Sequence, residues 1–104
     1  MFMYKTIEKA QPHEIYNLAA WTHVMHSFDN KQSTFDANVN GLLYICDAVL
    51  ALKLTQKVKV FHASTSEMFG EVVRSHDEFL VTERHPFNPM SPYAVSKISA
   101  YYLV

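Results

Sequence analysis

Residues 57–67 read Lys57-Val58-Lys59-Val60-Phe61-His62-Ala63-Ser64-Thr65-Ser66-Glu67. Val58, Val60 and Phe61 predict a buried strand over Lys57–Ser64. A hydroxyl-rich triplet ending in a carboxylate follows at its C-terminal end. Upstream, from about Gln32 to Leu54, the apolar pattern is helical. Phe35, Val39, Leu42, Leu43, Cys46, Val49 and Leu50 make one face, and Tyr44, Ile45, Ala48, Ala51 and Leu52 make much of the rest apolar. Before it, Glu14-Ile15-Tyr16-Asn17-Leu18-Ala19-Ala20 predicts a second buried strand. Strand, long helix, strand is the right-handed crossover unit of a parallel sheet. Ligands bind beyond the carboxyl ends of such strands. Asn17–Ala20 and Ser64–Glu67 both fall at such ends, so the site is expected there.

Downstream, Ser91-Pro92-Tyr93-Ala94-Val95-Ser96-Lys97 opens a third helix, predicted over Tyr93–Val104. Proline suits the first helical position, and Ser91 can cap it. Tyr93 and Lys97, four apart, share a helix face. A free phenol has a pKa near 10 and is a poor base at neutral pH. A neighbouring ammonium favours the phenolate. Tyr93 can then exchange a proton with a substrate hydroxyl. Thr65 can hydrogen-bond the same oxygen, and Glu67 is a second base for a neighbouring carbon. The Tyr-Lys spacing alone is also that of an ordinary helix-surface pair in a chain with six tyrosines. The ordered set of Thr65, Glu67, Tyr93 and Lys97 around one strand end is far more specific.

The remaining segments frame these. Met1–Ala10 predicts an amphipathic helix that Gln11-Pro12 ends. The small residues after Asn17 either let a flat ligand approach the backbone or pack the next helix. Trp21–Phe28 predicts a loop, after which Asp29 or Ser33 caps the long helix. Gly41 inside that helix costs about 1 kcal/mol against alanine, and close approach of a neighbouring backbone is the expected reason. A helix apolar nearly all round is buried on two sides, which predicts a subunit interface on the side facing away from the sheet. Gly70–Pro92 predicts a polar, solvated loop carrying Arg74, His76, Asp77, Glu78, Glu83 and Arg84.

Ala63-Ser64-Thr65-Ser66-Glu67-Met68-Phe69-Gly70, His85-Pro86-Phe87 and Ser91–Lys97 together resemble the GDP-mannose 4,6-dehydratase family of the extended short-chain dehydrogenase/reductases. Glu14–Ala20, His23-Val24 and Ser27-Phe28 fit it too. The likeness runs from about Pro12 to Val104. The Thr-Ser-Glu triplet discriminates, because related dTDP-glucose dehydratases carry Thr-Asp-Glu and UDP-galactose epimerases lack the Glu.

The resemblance implies an α/β fold, a partial Rossmann-like parallel sheet with two strands and three helices from an incomplete doubly wound domain. Residues 1–104 would be its central fragment, without the N-terminal Gly-rich unit and the C-terminal substrate domain. The implied activity is dehydration of GDP-mannose to a 4-keto-6-deoxy sugar nucleotide, the first step toward GDP-fucose, with bound NADP. The implied catalytic residues are Thr65, Glu67, Tyr93 and Lys97, with Ser66 in support. Leu18, Ala19, Ala20, Trp21, Thr22 and Lys97 would contact the cofactor. A homo-oligomer in the cytoplasm is implied for the complete protein. Another sugar-nucleotide dehydratase or epimerase, or a catalytically inactive fragment, stay open as alternatives. The pattern departs locally. Trp21 and Thr22 stand where the family has Gln and Ser, Ser33 replaces a cofactor-holding Tyr, Met90 replaces an Arg, and the Gly70–His85 loop is longer. These touch cofactor geometry more than proton chemistry.

Composition excludes several classes. The net charge of -1 lacks a basic block, which argues against nucleic acid or a membrane surface as partner. No apolar run approaches the roughly 18 residues of a membrane span, and the N-terminus lacks a signal-peptide pattern. A single cysteine, Cys46, rules out an internal disulfide and reads as a small buried hydrophobe. His23 and His26 lack a supporting Cys or carboxylate, so no metal site is expected.

Overall fold

The computed structural model describes residues 2–71 and 81–104. The order is α1 (Phe2–Ala10), β1 (Glu14–Asn17), a 3-10 turn (Met25–Phe28), α2 (Lys31–Phe35), a π-helical turn (Asp36–Asn40), α3 (Gly41–Ala51), β2 (Lys59–His62), a 3-10 turn (Ser66–Phe69) and α4 (Pro92–Leu103). α2, the π turn and α3 form one continuous helical run, the crossover between two parallel strands. β1 pairs with β2 in the register Glu14↔Lys59 to Asn17↔His62. The α/β class and the parallel pair therefore stand as the sequence predicts.

Both strands are shorter than expected, because their flanking amides are used elsewhere. The N–H groups of Lys57 and Val58 go to the Leu54 carbonyl at 2.8 and 2.9 Å. Beyond β1, the Ala19 N–H turns to the Asn17 side chain at 3.3 Å, so Leu18–Ala20 leaves the sheet. The expectation of buried strands holds for one face only. Ile15 and Val60 pack inward, while Tyr16 and Phe61 lie side by side on the open face with ring centroids 5.9 Å apart. Alternation of one covered and one open face is the ordinary outcome when a sheet has helices on one side only.

The core sits between α1, α3 and the sheet: Ile7, Ile45, Ala48, Val49, Leu54 and Val58, with Met3, Tyr4, Ile15, Leu52 and Val60 against them. Burying each large aliphatic contributes about 1.5–3 kcal/mol. The buried stripe of the long helix differs from the predicted one. It runs through Thr34, Asn38, Leu42, Ile45, Ala48 and Val49, whereas Leu50 is exposed and Phe35, Val39, Leu43 and Cys46 are half-buried. Hydropathy misplaces the stripe because two of its members are polar residues buried through hydrogen bonds. The π turn also inserts extra residues and rotates one half of the helix against the other.

Its ends differ too. Neither Asp29 nor Ser33 caps it. Asn30 holds the cap position without a side-chain bond, and its carbonyl takes both the N–H and the hydroxyl of Thr34. At the other end Lys53 adopts φ 56°, with Lys53 N–H on Leu50 O and Leu54 N–H on Val49 O. That pair of bonds is a Schellman stop, normally built on glycine. Gly41 is a correction as well: a Cβ placed there meets nothing within 4 Å among the described residues, so no backbone approaches it. The predicted Trp21–Phe28 loop contains the 3-10 turn Met25–Phe28. Arg74, His76, Asp77 and Glu78 of the predicted polar loop lie outside the described residues. No helix among those described is long and apolar enough to cross a membrane.

Candidate functional site

α4 begins as its sequence dictates. Pro92 occupies the first turn, and the Ser91 hydroxyl accepts the Ala94 N–H at 3.0 Å. This brings Tyr93 and Lys97 onto the inward face, where they retain only 7% and 3% of their exposure. The Lys97 ammonium donates to the Ala63 carbonyl at 2.6 Å. It thereby ties α4 to the backbone just before Thr65. Burial lowers the Lys97 pKa below the ordinary lysine value.

Thr65 lies at the start of the 3-10 turn Ser66–Phe69. Its hydroxyl oxygen accepts the Glu67 N–H at 3.3 Å, which leaves the hydroxyl proton available to a ligand. Thr65 is half-buried, while Ser66 and Glu67 are exposed. α4 packs against this turn. The structure thus gathers Thr65, Ser66 and Glu67 beside the helix that carries Tyr93 and Lys97.

Leu18, Ala19, Trp21 and Thr22 are exposed and Ala20 is half-buried, on the segment leaving β1. The segment is pinned at two points. Asn17 holds the Ala19 N–H, and Asn38 brackets Trp21. The Asn38 carbonyl oxygen accepts the Trp21 N–H at 2.7 Å, and its amide donates to the Trp21 carbonyl at 3.3 Å. The same amide donates to the Ser96 hydroxyl at 2.9 Å, and Ser96 donates to the Tyr93 carbonyl at 2.7 Å. One buried asparagine on the π turn therefore connects the exposed segment to α4. Sequence reading passes over Asn38 and Ser96. An asparagine in the middle of an otherwise apolar helix, where its propensity is poor, is the signal that marks it.

His62 is the other residue sequence reading passes over. Asn17 turns its carbonyl oxygen to Ala19, so its amide N–H faces His62 Nδ1 at 3.1 Å. Nδ1 must then accept, which places the proton on Nε2 and keeps the ring neutral. That Nε2 is buried without a partner among the described residues. Burial lowers the His62 pKa, and the Lys97 charge lowers it further.

Gly70 closes the turn at φ 63° and ψ -147°, a conformation open essentially to glycine alone. A Cβ there meets the Asn88 carbonyl at 2.0 Å. Asn88 N–H also bonds Met68 O at 2.9 Å. Phe87 packs on Phe69, Tyr101 and Tyr102. The segment before Ser91 is thus folded back onto the turn bearing Glu67.

A family model described as GDP-mannose 4,6 dehydratase matches residues 1–104. GDP-mannose 4,6 dehydratase 2 of Caenorhabditis elegans is 44% identical over 100 residues, covering 96% of this chain and 25% of that protein. Among solved structures, the UDP-glucose 4-epimerase from Brucella ovis in complex with NAD matches with a TM-score of 0.83 and 25% identity, over 98% of this chain and 29% of its own. RMD from Pseudomonas aeruginosa complexed with NADPH matches with a TM-score of 0.79 and 27% identity, over 88% of this chain and 30% of its own. The chain spans about a quarter of the length of the curated relative it matches. With that family model matching residues 1–104 and a relative 44% identical over 96% of the chain, this chain belongs to the GDP-mannose 4,6-dehydratase family.

Proposed function

We propose that the chain is the central part of an enzyme that dehydrates GDP-mannose to GDP-4-keto-6-deoxymannose. One observation carries the reading. The buried Lys97 ammonium sits on the Ala63 carbonyl and joins the helix bearing Tyr93 to the strand end bearing Thr65-Ser66-Glu67. A buried cation one helical turn from a phenol, with a carboxylate on the adjoining turn, suits successive proton removals from two neighbouring carbons.

A nicotinamide dinucleotide, when bound, supplies a reversible hydride acceptor for C4 and a donor for C6. The residues present fit the nicotinamide end of such a group. Lys97 spends one of its three N–H donors on Ala63 and keeps two for ribose hydroxyls. The exposed segment Leu18, Ala19, Ala20, Trp21 and Thr22 offers its backbone. NADP is our choice over NAD, in line with the family resemblance and the NADPH-bound Pseudomonas structure.

The residues of this chain then handle protons. Tyr93 accepts the proton of the C4 hydroxyl, and Thr65 donates a hydrogen bond to the same oxygen. Once C4 is a ketone, the C5 proton is acidified. Glu67 removes it and hands it to the C6 hydroxyl, which departs as water, and the proton taken up by Tyr93 balances the one that C5 regains when C6 is reduced. Ser66 supports the turn as a further donor.

We also assign the exposed Tyr44 and Leu50 of α3 to contact with a second copy in the complete enzyme. The test of the activity is direct. The full-length enzyme is incubated with GDP-mannose and NADP, and the sugar nucleotide is followed by mass spectrometry. Loss of one water to give the 4-keto sugar is expected. Turnover of UDP- or dTDP-glucose with GDP-mannose untouched would overturn the substrate assignment.

A further inference from the structure

The first turn of a helix leaves its leading N–H groups without intrahelical partners. In α4 these can be accounted for one by one. Pro92 has no N–H. Ala94 N–H goes to the Ser91 hydroxyl at 3.0 Å, and Val95 N–H to the Ser91 carbonyl at 3.0 Å. Tyr93 N–H remains, and no residue of its own segment takes it. Its acceptor is the Ser27 hydroxyl, 66 positions earlier in the chain, at 3.1 Å. Ser27 is 0% exposed and donates its own proton to the Val24 carbonyl at 2.5 Å. Its hydroxyl proton is therefore committed, and a lone pair points at Tyr93.

We propose that Ser27 is a positioning residue for Tyr93: it completes the α4 cap from a distant turn and so fixes where the phenol stands relative to Lys97 and Thr65. The inference rests on the dehydratase reading for its catalytic consequence, though the clamp itself is independent of it. The cap is shared between two segments. Ser91 sets the local helix start, and Ser27 sets its lateral position against the turn Met25–Phe28. The backbone of Val24 carries the load onward, since Ser27 N–H also bonds the carbonyls of His23 and Val24 at 3.1 and 3.2 Å. Removing the acceptor leaves a buried N–H without a partner, which the helix start relieves only by shifting. Proton transfer is steep in distance, and a displacement near 1 Å costs about a hundredfold in rate.

The test compares Ser27→Ala and Ser27→Cys in the full-length enzyme. The thiol keeps nearly the same volume but is a weak acceptor, so Ser27→Cys serves where the alanine variant fails to fold. Three quantities are read: hydrogen–deuterium exchange at the Tyr93 amide, and kcat and KM for GDP-mannose. Tyr93 exchange is expected to rise about tenfold or more, with the Ala100 amide of the same helix unchanged. kcat should fall about ten- to a hundredfold, with KM for the sugar nucleotide within about threefold. Equal acceleration along all of α4 would mean a general packing role and overturn the proposal. So would unchanged Tyr93 exchange, or unchanged kcat despite raised exchange. Should the unsubstituted enzyme leave GDP-mannose intact, the activity reading falls, and the exchange result alone decides the clamp.

Discussion

The Lys97 ammonium, almost fully buried, is held by the Ala63 carbonyl at 2.6 Å. A cation in such a place destabilises the fold, since burial penalises its charged form. In the proposed function that cost is offset by the use of the charge beside Tyr93 and the cofactor ribose.

Lys97→Met should therefore raise the unfolding free energy by about 1 kcal/mol while abolishing activity. The pH dependence gives a second reading of the same cost. The folded pKa is lowered, so just below the ordinary lysine value of about 10.4 the unfolded chain holds a proton that the folded one has lost. Stability therefore rises with pH through that window. Denaturant titrations at a series of alkaline pH values should show the rise in the unsubstituted protein and a flatter profile in Lys97→Met. A less stable Lys97→Met protein would contradict this.

His62 has the same sign in a different window. Its folded pKa is lowered by burial and by Lys97. The contribution of the neutral ring is fully present above the ordinary histidine value of about 6.5 and is lost as pH falls through the folded value. Protonating Nδ1 also sets a donor against the Asn17 amide, which would release the Ala19 turn. His62→Gln offers an uncharged acceptor in place of Nδ1. Its stability should fall less between pH 7.5 and 5 than that of the unsubstituted protein. Parallel curves would remove His62 as the source.

Gly70→Ala should be costly. The positive φ and a Cβ 2.0 Å from the Asn88 carbonyl act together. A loss of at least about 2 kcal/mol is expected, measurable by chemical denaturation. A change within about 0.5 kcal/mol would show that the turn does not hold this conformation.

The parallel strand pair was legible because Val58, Val60 and Phe61 and the Ile15-Tyr16 run are short apolar stretches separated by a long helical pattern. Ser91 and Pro92 marked the start of α4 correctly, since capping is a local matter of one hydroxyl and one missing N–H. Thr65, Glu67, Tyr93 and Lys97 could be singled out because a hydroxyl, a carboxylate, a phenol and an ammonium are recognisable from residue type alone, and the structure brings their two segments together at the Lys97–Ala63 bond. Asn38 and His62 were passed over, and Ser27 was noticed without a role, for the opposite reason. Their function lies in partners 17 to 66 positions away, and no local spacing encodes such pairings. The buried face of the long helix was misplaced because Thr34 and Asn38 are buried by hydrogen bonds, which hydropathy counts against them.

The assignment of Glu67 as the base at C5 is tested most directly by isotope exchange. In the full-length enzyme with Glu67→Gln, GDP-mannose is incubated in deuterated water, and label at C5 is followed by NMR alongside reduction of the bound cofactor. The expected result is loss of C5 exchange with C4 oxidation preserved, because Tyr93 and Lys97 are untouched and only the second proton removal is blocked. Undiminished exchange at C5 would contradict it and remove Glu67 from that role.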